Sequence, residues 1–212
     1  MTTVAGLCAK IAYDLHEDPS SFPGSSSYWT TNEIISYINY AEADFSRRTG
    51  ISKGVASLVV NTMLVDLPDD AVNVERASFD GRRLRRASSW DLERQDANWR
   101  SRTGRPRLYK EDRLTPGYME LDVTPSSEGV CSIIYDSMPQ AHTALTDSLS
   151  IPDPWLPYIA WEVISLALAK DGDHQDVERS QYAHQRYLFG VAIARRAIIG
   201  SEAIPYPVSD NA

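Results

Sequence analysis

Val72-Asn73-Val74-Glu75-Arg76-Ala77-Ser78-Phe79-Asp80-Gly81-Arg82-Arg83-Leu84-Arg85-Arg86 is the stretch that decides the fold. Two strand-like runs flank Asp80-Gly81. That dipeptide is a strong hairpin signal, because a type I′ turn needs positive φ at both central residues. Upstream, a strand from Val65 ends in Leu67-Pro68-Asp69-Asp70. Downstream, Pro106-Arg107-Leu108-Tyr109 is strand-like again, and Thr115-Pro116-Gly117 supplies a turn. Tyr118-Met119-Glu120-Leu121-Asp122-Val123 then alternates apolar and polar residues at period two. Val130-Cys131-Ser132-Ile133-Ile134-Tyr135 follows a Pro/Ser/Gly turn. Residues 55–150 therefore predict a small antiparallel β module, inserted between segments of helical pattern.

The flanks are read by spacing and punctuation. Val4, Leu7, Cys8, Ile11 and Leu15 share one helical face, and Pro19 and Pro23 end that helix. Thr30-Thr31-Asn32-Glu33 is a capping-box pattern. It opens a helix with Ile34, Ile38, Ala41 and Phe45 on one stripe and Gly50 as its C-terminal cap. Inside the β module, Ser89 to Arg100 predicts a short helix capped by Ser88 and Asp91, with Trp90 and Trp99 anchoring its ends. Gln140 to Ser150 reads as a polar connector. Pro154 stands near the first turn of a third helix, whose stripe is Leu156, Ile159, Ala160, Val163 and Ala167. Asp171-Gly172-Asp173 breaks the chain before a fourth helix from about Asp176 to Ile199, which Gly200 caps. The expected fold is α+β. An antiparallel four-helix body (1–54 and 151–200) carries the β-rich insertion (55–150), and residues 201–212 form an extended C-terminal arm.

Composition is that of an ordinary globular chain, 42% hydrophobic and 24% charged. No apolar run approaches the roughly 18 residues of a membrane span, and no secretory signal is visible. Cys8 and Cys131 fall in different modules and read as buried free thiols, which fits a reducing compartment. The net charge of −8 conceals a segregation. Arg76 to Arg113 holds twelve Arg/Lys against six Asp/Glu, whereas residues 1–75 hold four against ten and 114–212 five against thirteen. Three readings of the basic segment stand together. It is a solvated surface, a nucleic-acid footprint, or a patch that meets the acidic body of a neighbouring copy head to tail.

Chemistry-bearing patterns are sparse. His16, His142, His174 and His184 stand at no recognised metal-ligand spacing. The run Asp171 to Asp176 lacks the remaining ligands of an EF-hand and reads as a helix–helix turn. Gly24-Ser25-Ser26-Ser27 is loop composition and not a nucleophile elbow. No phosphate-cradling loop or Rossmann fingerprint is present. The chain reads as a non-enzyme without a cofactor.

The order of local features resembles the head-to-tail adaptor (connector) proteins of tailed bacteriophages, which form rings beneath the portal. The matching pieces are Tyr28-Trp29-Thr30, Glu33 to Ala41, Leu67-Pro68-Asp69-Asp70 and Asp80-Gly81-Arg82-Arg83-Leu84. Trp99, Gly104-Arg105-Pro106, Tyr109, Met138-Pro139 and Ile151-Pro152-Asp153 continue the order ahead of two amphipathic helices. The resemblance implies a ring subunit, commonly in twelve copies, around a DNA channel through which DNA passes without specific binding. It implies self-association, a portal partner, tail or nozzle partners, no membrane, and a place in the virion neck after assembly in the host cytoplasm. Other neck or tail roles, such as stopper or tail terminator, and nucleic-acid binding remain as alternatives. The C-terminal arm would engage the portal through Ile204, Pro205, Tyr206, Pro207 and Val208, where apolar residues recur at period two. Arg82, Arg83, Arg85 and Arg86 are expected at a subunit or tail interface, a feature the resemblance itself does not supply.

Overall fold

A computed structural model describes residues 2–24, 27–111 and 117–202. In chain order the elements are α1 (Val4–Asp14), α2 (Thr31–Thr49), β1 (Lys53–Val60), β2 (Leu64–Asp66), β3 (Ala71–Phe79), β4 (Arg82–Arg83) and β5 (Arg85–Arg86). They continue with α3 (Ser89–Gln95), β6 (Thr103–Gly104), β7 (Leu108–Glu111), β8 (Tyr118–Leu121), β9 (Thr124–Pro125), β10 (Gly129–Ser137), α4 (Leu156–Ala169) and α5 (Val177–Glu202). Two compact units result, one of Met1–Ile51 with Pro139–Ala212 and one of Ser52–Met138.

In the helical unit the caps form as their sequences dictate. The Thr30 hydroxyl accepts the Glu33 N–H at 3.3 Å, and the Glu33 carboxylate accepts the Thr30 N–H at 2.8 Å. Gly50 ends α2 at φ 65°, a left-handed conformation open to glycine at little cost. At the start of α5 the Asp176 carboxylate accepts the Arg179 N–H at 2.9 Å. Helix α4 is buried nearly all round, through Leu156, Ile159, Val163, Ile164, Ala167 and Leu168, and packs against α1, α2 and α5. Each large side chain in this core is worth roughly 1.5–3 kcal/mol over leaving it in water. Gly190 on α5 lies where any Cβ would strike the Tyr158 ring, so its lack of a side chain sets the α4–α5 approach. Helix α5 continues past Gly200 to Glu202, so the stop expected at Gly200 is corrected.

The segment after Pro139 is more than a polar connector, because hydrogen bonds tie it to α1 and α2. Asn39 pairs with the His142 backbone through both its amide atoms, at 3.0 and 2.8 Å. Glu42, one turn on along α2, is 1% exposed. Its carboxylate accepts the N–H groups of Ser150 and Ile151 at 3.1 and 3.2 Å and lies 2.7 Å from His142 Nε2. Asp147 caps the Thr143 and Ala144 N–H groups, and its carbonyl accepts the Val4 N–H. Leu149 and Ile151 complete the helical core.

In the β-rich unit one sheet has the order β1-β10-β3-β4 and a second the order β2-β8-β7-β5, beside a β6-β9 pair. Period-two alternation turns Cys131, Ile133 and Tyr135 of β10 inward. They join Ala77 and Phe79 of β3, Tyr109 of β7, and Met119 and Leu121 of β8 in one apolar cluster fed by both sheets. Burial pushes the thiols of Cys8 and Cys131, one in each unit, up to about 11.

The expected antiparallel four-helix body with one small antiparallel β module is corrected on both counts. Among the described residues there are five α-helices and two four-stranded sheets, and the pairs β5–β7 and β6–β9 are parallel. The cause is local. Between Arg86 and Leu108 the chain passes through α3 and a 3-10 turn at Trp99–Ser101, a crossover long enough to bring β7 back in the direction of β5. The predicted helix from Ser89 to Arg100 stops at Gln95, and Trp90 is exposed instead of anchoring it.

Replacing Glu42 with Ala removes the acceptor for two N–H groups and the partner of His142. It is expected to cost about 3 kcal/mol of unfolding free energy by urea titration, with Glu42→Gln costing less. A second expectation concerns acid. The hydrogen bond from Lys170, then those from Thr30, hold the Glu33 carboxyl down to about 2 from its ordinary 4.5. A lowered folded-state pKa gives stability that is present above 4.5 and lost as pH falls toward 2. Glu33→Gln should flatten the pH dependence of melting in that window.

Candidate functional site

The Asp80-Gly81 turn forms as read, with φ of 47° and 74° at the two residues. It pairs Phe79 with Arg82 and Ser78 with Arg83. The second strand of this hairpin, however, lasts only two residues. Leu84 turns into the apolar cluster at 2% exposure, and its N–H reaches the Ala77 carbonyl at 2.9 Å. Arg85 then donates to the Arg107 carbonyl at 3.0 Å and opens β5 in the other sheet. The run Arg82-Arg83-Leu84-Arg85-Arg86 is thus a corner joining two sheets, with Leu84 as its pin.

The four arginines are all exposed, but they are divided between the sheets. Arg86 is committed within the unit: Nη2 lies 2.5 Å from Glu111 Oε2 and Nη1 3.3 Å from Asn73 Oδ1. Glu111 also accepts the Val74 N–H. Arg83, Arg85 and Arg86 border a hollow of about 450 Å³ with Glu75, Arg76 and Tyr109, which Arg82 does not line. Burial raises the Tyr109 phenol above its ordinary value.

A second hollow, of about 430 Å³, shares Arg85 with the first and is likewise lined by four arginines and one carboxylate. Arg102, Arg105 and Arg107 share its wall with Arg85 and Asp122. Its frame is backbone. Arg107 N–H donates to Asp122 Oδ1 at 2.9 Å, the Arg102 carbonyl accepts from Thr124 at 2.9 Å, and the Gly104 carbonyl accepts from Ser126 at 3.0 Å. Behind the Arg102 turn, Trp99 is buried, with the Arg100 guanidinium 4.5 Å and the Lys110 ammonium 5.6 Å from its ring. Glu120 closes that group, 2.6 Å from Lys110 Nζ and 3.1 Å from Arg100 Nε. Trp99 Nε1 has no hydrogen-bond partner among the described residues.

The SU10 adaptor protein family model matches residues 2–202. The chain belongs to that family. It is a head-to-tail adaptor family of tailed phages, the kind of protein the sequence resembles. No curated protein matches the chain.

In this SU10-family adaptor the helical unit presents the opposite charge. The α4–α5 turn holds Asp171, Asp173 and Asp176, and Glu178 opens α5. The turn is braced: the Tyr28 hydroxyl donates to the Asp171 carbonyl at 2.7 Å, and the Tyr28 ring packs 4.6 Å from that of His174. Asp173 and Glu178 are exposed and make no ion pair among the described residues. Deeper charges in this unit are paired. Asp44 is met by Arg47, Arg48 and Tyr187, and Glu162 by His184. Burial raises the Glu162 carboxyl despite His184, whereas for Asp44 the hydrogen bonds outweigh burial and lower it.

Sequence reading singled out Arg82, Arg83, Arg85 and Arg86 as an interface candidate and missed the grouping of Arg85 with Arg102, Arg105 and Arg107. The only trace of that grouping was the charge excess between Arg76 and Arg113. The candidate portal contacts Ile204, Pro205, Tyr206, Pro207 and Val208 lie outside the described residues. No helix among the described residues is long and apolar enough to cross a membrane.

The corner predicts a sharp contrast between neighbours. Leu84→Ala is expected to lower stability by about 2–4 kcal/mol. The double variant Arg82→Ser/Arg83→Ser should stay within about 0.5 kcal/mol of the parent, since neither side chain is buried or ion-paired among the described residues. Urea unfolding followed by tryptophan fluorescence would check both.

Proposed function

We propose that the chain is a non-enzymatic structural subunit of a cyclic head-to-tail adaptor, commonly of twelve copies, which joins the portal to the tail around the DNA channel. The observation that carries this reading is the family match, which spans both units. On this reading its partners are further copies of itself, the portal protein above and tail or nozzle proteins below. Its place is the virion neck, reached after assembly in the host cytoplasm.

Charge distribution supports the same reading. The segments of the helical unit hold eight Arg/Lys against fifteen Asp/Glu, and those of the β-rich unit thirteen against fourteen. A unit that is near neutral as a whole gives little of the long-range attraction on which non-specific DNA binding depends. A sliding duplex is best served by a wall that is acidic or neutral, with Arg82, Arg83, Arg85 and Arg86 away from it. The arm from Ile204 to Val208 docks on the portal, with Ile204 and Tyr206 as anchors.

Electron cryomicroscopy of purified necks tests the ring. The expected image is a ring of this chain between portal and tail. A position farther down the tail, as stopper or terminator, or all four arginines lining the channel, would overturn the reading. Deleting residues 203–212, beyond α5, tests the arm. The deletion is expected to leave melting of the isolated chain unchanged and to abolish attachment to the portal, whereas full attachment would refute the arm's role.

A further inference from the structure

We propose that the hollow lined by Arg85, Arg102, Arg105 and Arg107 receives the acidic α4–α5 turn, Asp171 to Glu178, of a second copy of this chain. The inference rests on the ring reading and names the contact that would propagate the ring. Four arginines line the hollow, Arg85 from β5, Arg102 from the end of the 3-10 turn before β6, and Arg105 and Arg107 from the link between β6 and β7. Among the described residues only Arg102 has an ion-pair partner, Asp96 at 2.6 Å. Asp122 is the one carboxylate on the wall, and its Oδ1 is occupied by the Arg107 N–H. Like charges gathered in a concavity focus a positive potential that an incoming carboxylate relieves. Arginine's fork of donors suits a carboxylate held in a fixed direction.

Several observations select the occupant. The hollow is a cavity of about 430 Å³, suited to a turn with two or three carboxylates and not to a track of phosphates along a duplex. The unit that carries it is near neutral overall, so the attraction is local. The complementary surface is in the same chain but on the other unit, where Asp173 and Glu178 are exposed and unpaired among the described residues. The turn is already ordered by Tyr28 against Asp171 and His174, which lowers the entropy lost on docking. Because hollow and turn are different patches, the contact is heterologous, and repetition of it generates a ring when the rotation closes.

The test is a charge exchange on adaptor-free, portal-bearing heads. Arg105→Glu/Arg107→Glu reverses the hollow, and Asp173→Arg/Glu178→Arg reverses the turn. All four side chains are exposed, so circular dichroism and melting should match the parent. Each variant alone is expected to form rings on the heads at least ~10-fold less efficiently, in keeping with the coupling of close interfacial charge pairs. An equimolar mixture should recover assembly, because alternating subunits restore opposite charges at both kinds of junction. Either variant assembling alone like the parent, or a mixture that does not recover, overturns the docking. Loss of duplex-DNA binding in the hollow variant with assembly intact overturns it in favour of nucleic acid. Absence of parental rings would refute the ring reading itself, and the docking is then decided by mixing Arg105→Cys and Asp173→Cys chains in solution. A disulfide-linked heterodimer supports it, and none at high concentration defeats it, the native Cys8 and Cys131 being buried.

Discussion

The Glu42 carboxylate is the interaction on which the architecture depends. A chain that leaves a helical unit at Ile51 and rejoins it at Pro139 must be fastened where it returns. Hydrophobic burial does little of this before Leu149, because Leu145 is the one large apolar side chain between Pro139 and Leu149 and is only partly buried. Glu42 fastens it with two backbone N–H groups and His142, and Asn39 adds a bidentate grip one turn earlier. Buried acceptors of this kind are costly to leave unmet, so they specify one docking geometry over others of similar apolar contact. Residues 142–151 then bring the chain to α4 in the position where that helix is covered by α1, α2 and α5.

The β-rich unit solves a different problem, that of joining two sheets through very short strands. Leu84 does so by burying one apolar side chain between two pairs of arginines that remain in solvent. The flanking charges keep the corner's outer surface wet and define which side must turn inward. The crossover through α3 then returns the chain parallel to β5, and Arg107 arrives beside Arg85 by backbone pairing. The basic hollow is a product of that topology. Among the described residues Arg102 is ion-paired with Asp96, whereas Arg85, Arg105 and Arg107 have no ion-pair partner.

Buried charge is handled in the two units by the same device. Asp44 with its two arginines and Tyr187, Glu162 with His184, and Lys110 with Glu120 are each paired at contact distance. Such pairs add little net stability over apolar substitutes, but losing one partner strands the other in a poorly solvating interior. Their value is in orientation. Lys110 lies against the Trp99 ring and Glu120 holds Arg100, so this buried pair contacts the turn that leads into β6.

Caps, stripes and the turn were legible in the sequence because each is decided by residues within a few positions. The Thr30–Glu33 box, Gly50 and the Asp80-Gly81 turn required only local backbone geometry, and helix spacing marked Ile34, Ile38 and Phe45 as buried. Local pattern failed where a distant partner overrode it. Leu84 split a predicted strand because its burial was worth more than continued pairing, Ser89 to Arg100 broke at Gln95, and α5 ran through Gly200. The connector before α4 looked polar because its polar groups face Asn39 and Glu42, about a hundred residues away in sequence. The placement of charged residues along the sequence already showed the charge segregation of this chain, and the order of its motifs pointed to its family. Which arginines stand together was decided only by the tertiary structure, since strand pairing across a crossover is a contact between segments that carry no mark of one another.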